Sequence, residues 1–188
     1  MEPTPRKLLV LDLDETLIHT TTRLLAQPAD HRFLLFNVYF RPHLADFIAA
    51  ITPMFDLGLW TASEALYARP IVQKIFPEGT LKFQWYRDRC TSVRDWRYYD
   101  VYQPFKRLKK IKRLGHQLES VIVVDDMPER YESYGNLVVV KPFMGDQDDD
   151  ELLLLLAYLK QIKGIPNIRT IEKRNWRDSV RQETGDDS

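Results

Sequence analysis

The chain has 188 residues, 44% of them hydrophobic and 12% aromatic, enough to bury one substantial core. Lys plus Arg equals Asp plus Glu at 27 each, so the net charge is zero and no global field draws the chain toward nucleic acid or an anionic membrane. The single cysteine excludes an internal disulfide and a cysteine-only metal cage, and the longest apolar run, Leu152 to Ala157, is far too short to span a bilayer. The opening MEPTPRK has no signal-peptide hydrophobic region, so we expect a soluble intracellular protein, cytoplasmic or nuclear, and a monomer.

In chain order, the apolar run Leu8 to Leu11 predicts a strand buried on both faces, and it ends in two carboxylates on alternate residues, Asp12 and Asp14. Phe33 to Phe40 reads as a strand or hairpin arm. After Arg41-Pro42, Leu44, Phe47, Ile48 and Ile51 follow helical spacing. A strand at Phe55 to Trp60 and a helix at Glu64 to Ile75 come next. Gly79 to Phe105 is rich in Trp, Tyr and Arg with no helical period and reads as a small β-rich insertion. Lys106 to Leu114 predicts a helix, Val121 to Val124 a strand followed by Asp125-Asp126, and Leu137 to Val140 another strand. The last helix runs from about Asp149 to Lys163, with acids at its positive N-terminal end and Leu152, Leu155, Leu156 and Leu159 facing the sheet. Residues 164–188 read as a polar tail, partly disordered and loose beyond Trp176. Strands alternating with helices predict a three-layer α/β/α fold around a mostly parallel sheet, in one domain spanning residues 1–163.

In open α/β sheets, ligands bind beyond the carboxyl ends of the strands. Asp12 and Asp14 leave the first strand there, and Asp125-Asp126 leave another strand in the same way. If the two strands are close, up to four acids converge on one crevice, an arrangement that calls for a hard divalent cation, and oxygen ligation with retained waters suits Mg²⁺. Either pair alone also fits an ordinary strand-ending turn.

DLDET after an apolar strand resembles the first motif of the haloacid dehalogenase superfamily. WTAS at Trp60 to Ser63 resembles the second motif, KKIKRLG at Lys109 to Gly115 the third, and VIVVDDMP at Val121 to Pro128 the acidic metal motif. With Phe40-Arg41-Pro42 and YRDRC in between, the ordered set is similar to the small RNA polymerase II C-terminal-domain phosphatases and their nuclear LIM interactor-interacting-factor-like relatives, over about Leu8 to Ile162. The resemblance implies Asp12 as nucleophile, Asp14 as general acid and base, Thr61 on a phosphoryl oxygen, and Lys109 offsetting the charge shared by Asp12 and the phosphoryl group. It implies Mg²⁺ on Asp12, the carbonyl of Asp14 and Asp126, with Asp125 acting from behind or through water. Arg87 is a weaker substrate-facing candidate. Asp126 stands where the small polymerase phosphatases carry Asn, which keeps an oxygen ligand and adds a charge.

The implied activity is a Mg²⁺-dependent hydrolysis of phosphoserine or phosphothreonine in a phosphoprotein through an aspartyl-phosphate. The absence of a large cap favours that over the alternatives, a phosphatase for a nucleic-acid end or small metabolite, or a non-catalytic phosphoprotein-binding module. No direct nucleic-acid or membrane binding is expected. Cys90 lacks the Arg spacing of a cysteine phosphatase loop, and Asp146, Asp148 and Asp150 lack the Gly and Glu of a calcium loop. Trp85, Tyr86, Trp96, Tyr98, Tyr99 and Tyr102 fit a peptide-binding wall or the core of the insertion equally well.

Overall fold

The computed structural model describes residues 6–95 and 101–185. The first strand, β1 (Leu8–Leu11), is buried along its whole length and pairs in parallel with β5 (Asp56–Trp60) on one side and β9 (Val121–Asp125) on the other. The sheet continues through β10 (Leu137–Val139) at one edge and β6 (Leu81–Trp85) at the other, giving the order β10-β9-β1-β5-β6, all parallel. Successive β1 side chains take opposite faces, as the strand period requires. Leu9 and Leu11 join a core with α1 (Leu44–Ile51), α2 (Ala65–Ile75), α4 (Glu151–Ile162) and α5 (Trp176–Gly185). Leu8 and Val10 join a smaller core with Trp60, Trp85, Tyr131 and Ile111 of α3 (Lys109–Lys112). This is the expected parallel α/β sheet between helical layers, with one layer much thicker than the other.

Four differences from the sequence reading bear on the site. The arm at Phe33 to Phe40 is a three-stranded antiparallel sheet, β2 (Ile18–Thr21), β4 (Phe36–Phe40) and β3 (His31–Phe33), which rises directly from DLDET. Within Gly79 to Phe105, β6 extends the central sheet, so the excursion from it starts later, at the hairpin of β7 (Thr91–Arg94) and β8 (Tyr102–Phe105). The helix expected from Lys106 is a single turn beginning at Lys109, because Lys106 follows directly on β8 and its amide is bound to the carbonyl of Arg130 in the turn after β9, 3 residues short of the helix. The chain past Gly164 is not a loose tail over its described part. Trp176 and Val180 of α5 are buried against α4, and the Trp176 indole donates to the Val139 carbonyl at 2.8 Å. Of the aromatic residues in the hairpin region, Trp85 and Tyr86 are core, Tyr102 is exposed, and Trp96, Tyr98 and Tyr99 lie outside the described residues.

Candidate active site

The site is built by sheet register. Leu11 lies opposite Val124 in β9, so the next residues, Asp12 and Asp125, leave neighbouring strands side by side. The Asp12 amide still donates to the Val124 carbonyl at 3.0 Å, which keeps Asp12 in the ladder and fixes its side chain. Asp12 is 2% exposed and Asp125 is fully buried, so two carboxylates meet in a low-dielectric space. Between them stands Lys106, also fully buried, with its Nζ donating to Asp12 Oδ1 at 2.6 Å and to Asp125 Oδ2 at 2.5 Å. Burial alone would depress the ammonium, but the two carboxylates outweigh it and hold Lys106 protonated above its ordinary range. One cation against two anions leaves the cluster a net charge of one below neutral. Burial, and then repulsion from Asp125, drive Asp12 well above the usual carboxylate range when no metal is bound.

Lys109 was the lysine expected here, and the structure corrects that expectation. Lys109 is exposed at the first turn of α3, and Lys106 takes the place assigned to it. The sequence signal was available in retrospect. Phe105-Lys106 ends a strand, as Leu11-Asp12 and Val124-Asp125 do, so all three charged residues occupy equivalent positions at strand ends.

Asp125 is immobilised from every side. Its Oδ1 accepts from the Met127 amide at 2.8 Å, and its Oδ2 accepts from the Tyr131 hydroxyl at 2.6 Å as well as from Lys106. Asp126 is less encumbered, accepting one bond from the Thr16 hydroxyl at 3.3 Å. Burial, then Asp125, raises its carboxyl to about 6. One carboxylate oxygen from each of Asp12, Asp125 and Asp126 lies within 4.8 Å of the others. Three hard oxygen donors whose negative charge Lys106 offsets only in part fit Mg²⁺, whose preference for retained waters matches so few protein ligands. Asp126 and Asp12 would hold the ion, with Asp125 orienting the assembly.

Asp14 stands apart from that cluster. Its two oxygens accept from the Ser63 hydroxyl at 2.6 Å, the Tyr67 hydroxyl at 2.6 Å and Thr61 Oγ1 at 3.3 Å. Thr61 and Ser63 extend from the end of β5, and Tyr67 from the first turn of α2, so the second strand crossing delivers the partners of the first strand's second acid. Asp14 lines a crevice of about 460 Å³ whose walls are Thr20 and Phe36 of the small antiparallel sheet, Tyr67, Arg87, Met127 and Arg130. Arg87 is exposed, donating to the Ala62 carbonyl at 2.9 Å beside Glu64 at 3.3 Å. Sequence reasoning missed Ser63, Tyr67, Tyr131, Arg130 and Glu15. Glu15 lines the crevice in a left-handed backbone conformation (φ 58°), and burial and then Asp14 raise it to about 7.

Residues outside the crevice hold it in shape. Arg41 is buried, and its guanidinium donates twice to Asp149, at 2.7 and 2.8 Å, and to the carbonyls of Thr16 and Lys141 at 3.0 Å each. It thereby ties the DLDET loop to the chain that follows β10. Burial raises the Cys90 thiol, which disfavours the thiolate a cysteine nucleophile needs.

A parallel sheet that delivers acids from adjacent strand ends around a buried lysine defines an α/β domain of the haloacid dehalogenase type. Residues 7–169 match the NLI interacting factor-like phosphatase family, and the chain belongs to that family. It is 30% identical over 177 residues to the CTD small phosphatase-like protein 2 of Dictyostelium discoideum, covering 88% of this chain and 29% of that protein. Against the CTD nuclear envelope phosphatase 1 of Xenopus laevis it is 29% identical, with 90% of this chain and 72% of that protein covered. Against the human CTD small phosphatase-like protein it is 30% identical, with 82% and 55% covered. The chain therefore spans between 29% and 72% of the length of these relatives. The fission yeast RNA polymerase II CTD phosphatase Fcp1 bound to beryllium fluoride shares the fold, with a TM-score of 0.57 at 18% identity, covering 96% of this chain and 50% of that one.

Proposed function

We propose that the chain is a Mg²⁺-dependent phosphatase acting on phosphoserine or phosphothreonine in a protein, with Asp12 as nucleophile. The observation that carries this reading is the position of Asp12, with one oxygen held by Lys106 and its second oxygen free of any bond from a described residue. That oxygen attacks phosphorus, the bond from phosphorus to the serine or threonine oxygen breaks, and Asp14 delivers its proton to the leaving oxygen. Water then attacks the aspartyl-phosphate, Asp14 takes the proton, and inorganic phosphate leaves with Asp12 restored. The hydroxyls of Thr61, Ser63 and Tyr67 orient Asp14 for both transfers, and Thr61 would meet a phosphoryl oxygen of the substrate. Lys106 fixes the nucleophile and limits the repulsion met by the incoming dianion. Bound Mg²⁺ would neutralise charge on the transferring phosphoryl group.

A crevice walled on one side by the small antiparallel sheet and on the other by Arg87, Met127 and Arg130 suits a phosphorylated side chain presented on a protein surface, and the names of the relatives agree with that substrate class. The test is turnover of an aryl phosphate and a panel of phosphopeptides and phosphorylated metabolites, with Mg²⁺ and with chelator. Peptide kcat/KM above that of every metabolite, dependence on Mg²⁺, and a loss of at least about a thousandfold in Asp12→Asn are expected. Wild-type turnover by Asp12→Asn would sink the mechanism.

A further inference from the structure

Most cations around the crevice are already committed. Lys106 is held by Asp12 and Asp125, Arg41 by Asp149 and two carbonyls, and Arg87 by the Ala62 carbonyl and Glu64. Arg130 differs, since its guanidinium makes no hydrogen bond or ion pair with any described residue, and its Nε is buried without a partner. An arginine carries five donors, and leaving buried ones unmade is costly, so such a group calls for an explanation.

Its placement is firm even though its charge is idle. The 3₁₀ turn Pro128–Arg130 follows directly on Asp125-Asp126 and is held by the Asp125 side chain at Met127. The Arg130 carbonyl accepts from the Lys106 amide at 2.8 Å. The guanidinium offsets the charge of Asp126 and Glu15, so it faces the acidic side of the crevice. Arg130 and Met127 also line a second pocket of about 360 Å³, walled by Val93, Pro104 and Phe105 of the β7–β8 hairpin. Arg130 and Met127 line both, so Arg130 stands on the ridge between the crevice and the hairpin pocket.

We propose that Arg130 is a specificity-determining residue whose idle guanidinium, on the ridge between the crevice and the hairpin pocket, binds an anionic group on a residue flanking the phosphorylated one. Resting on the phosphatase reading above, it narrows the substrate class to phosphopeptides with acidic or further phosphorylated neighbours. The acidic crevice repels any anion not paired with a cation, so one guanidinium at this point sorts substrates by charge.

The test compares phosphoserine peptides that differ only in their flanking residues, Glu, Gln or Lys on either side. Phosphate release by wild type is expected to favour the Glu-flanked peptide over the Gln-flanked one by about tenfold or more in kcat/KM, mainly through KM. In Arg130→Gln that ratio falls to about one, Arg130→Lys restores part of it, and Arg130→Glu shifts the preference to the Lys-flanked peptide. A ratio that survives in Arg130→Gln overturns the proposal. So does an equal loss on all peptides and on aryl phosphate, which would mean that Arg130 serves the transferred phosphoryl group. Affinities of the same peptides for Asp12→Asn read the subsite without turnover. A Glu preference in binding with no phosphate release by wild type would overturn the phosphatase reading and leave the subsite standing; turnover without preference would do the reverse.

Discussion

Lys106 and Lys109 belong to one run, KRLKKIKR, with six basic residues in eight, and their identical side chains have opposite fates. Replacing Lys106 by Met leaves Asp12 and Asp125 facing each other in a buried space with no cation, so Lys106→Met should cost about 3–5 kcal/mol of metal-free stability and remove turnover. Lys109→Met changes an exposed residue, so stability should stay within about 0.5 kcal/mol and turnover within about twofold. Chemical denaturation and steady-state rates on the pair distinguish the two lysines directly. A collapse of turnover in Lys109→Met with Lys106→Met active would reverse the assignment.

At the scale of elements, the Phe83 ring of β6 can lie over Gly58 of β5 because Gly58 has no side chain. A Cβ built there would sit 2.4 Å from the Phe83 ring on the neighbouring strand. Gly58→Ala forces that ring aside, where it is itself packed at 4.5 Å between centroids against Trp85. A loss of about 1–3 kcal/mol in urea unfolding is expected, with Phe83→Leu restoring part of it by making room. The final helix is a second case. Trp176 fills the space over α4, its ring 5.4 Å from Tyr158, and Trp176→Ala should cost about 3–5 kcal/mol. An unchanged unfolding midpoint would mean that α5 contributes nothing to the fold.

The molecule as a whole concentrates acids at one end of its sheet, which makes stability depend on pH. The metal-free carboxyls of Asp12, Glu15 and Asp126 are raised above their unfolded values, with Glu15 at about 7 and Asp126 at about 6. A group raised on folding holds its proton more tightly in the native state. Its contribution is complete below the unfolded pKa and is lost as pH rises through the folded one. With chelator present, the thermal midpoint should therefore fall between about pH 5 and pH 8. Adding Mg²⁺ at the upper end should recover much of the loss, because an ion bound only by the native state stabilises it by mass action. A midpoint that rises over this window would contradict the shifts.

Much of this arrangement was legible in advance where local chemistry was unambiguous. The Leu8–Leu11 run followed by Asp12 and Asp14, and the VIVV run followed by Asp125 and Asp126, announced parallel strands with acids at their ends, because only burial on both faces produces such unbroken apolar stretches. What stayed hidden was whatever depended on partners far along the chain. β2 is the polar stretch IHTT, a strand only because β4 supplies its ladder, and α5 shows just two buried apolar positions in a polar sequence. Sequence by itself determined the strand order of acids and the family chemistry they resemble. Tertiary structure decided that Lys106 sits between Asp12 and Asp125, that three hydroxyls at the ends of β5 and α2 hold Asp14, and that the Arg130 guanidinium has no partner among the described residues. The reason is that burial and charge pairing are set by register and packing across 94 residues, from Asp12 to Lys106, and no local pattern records them.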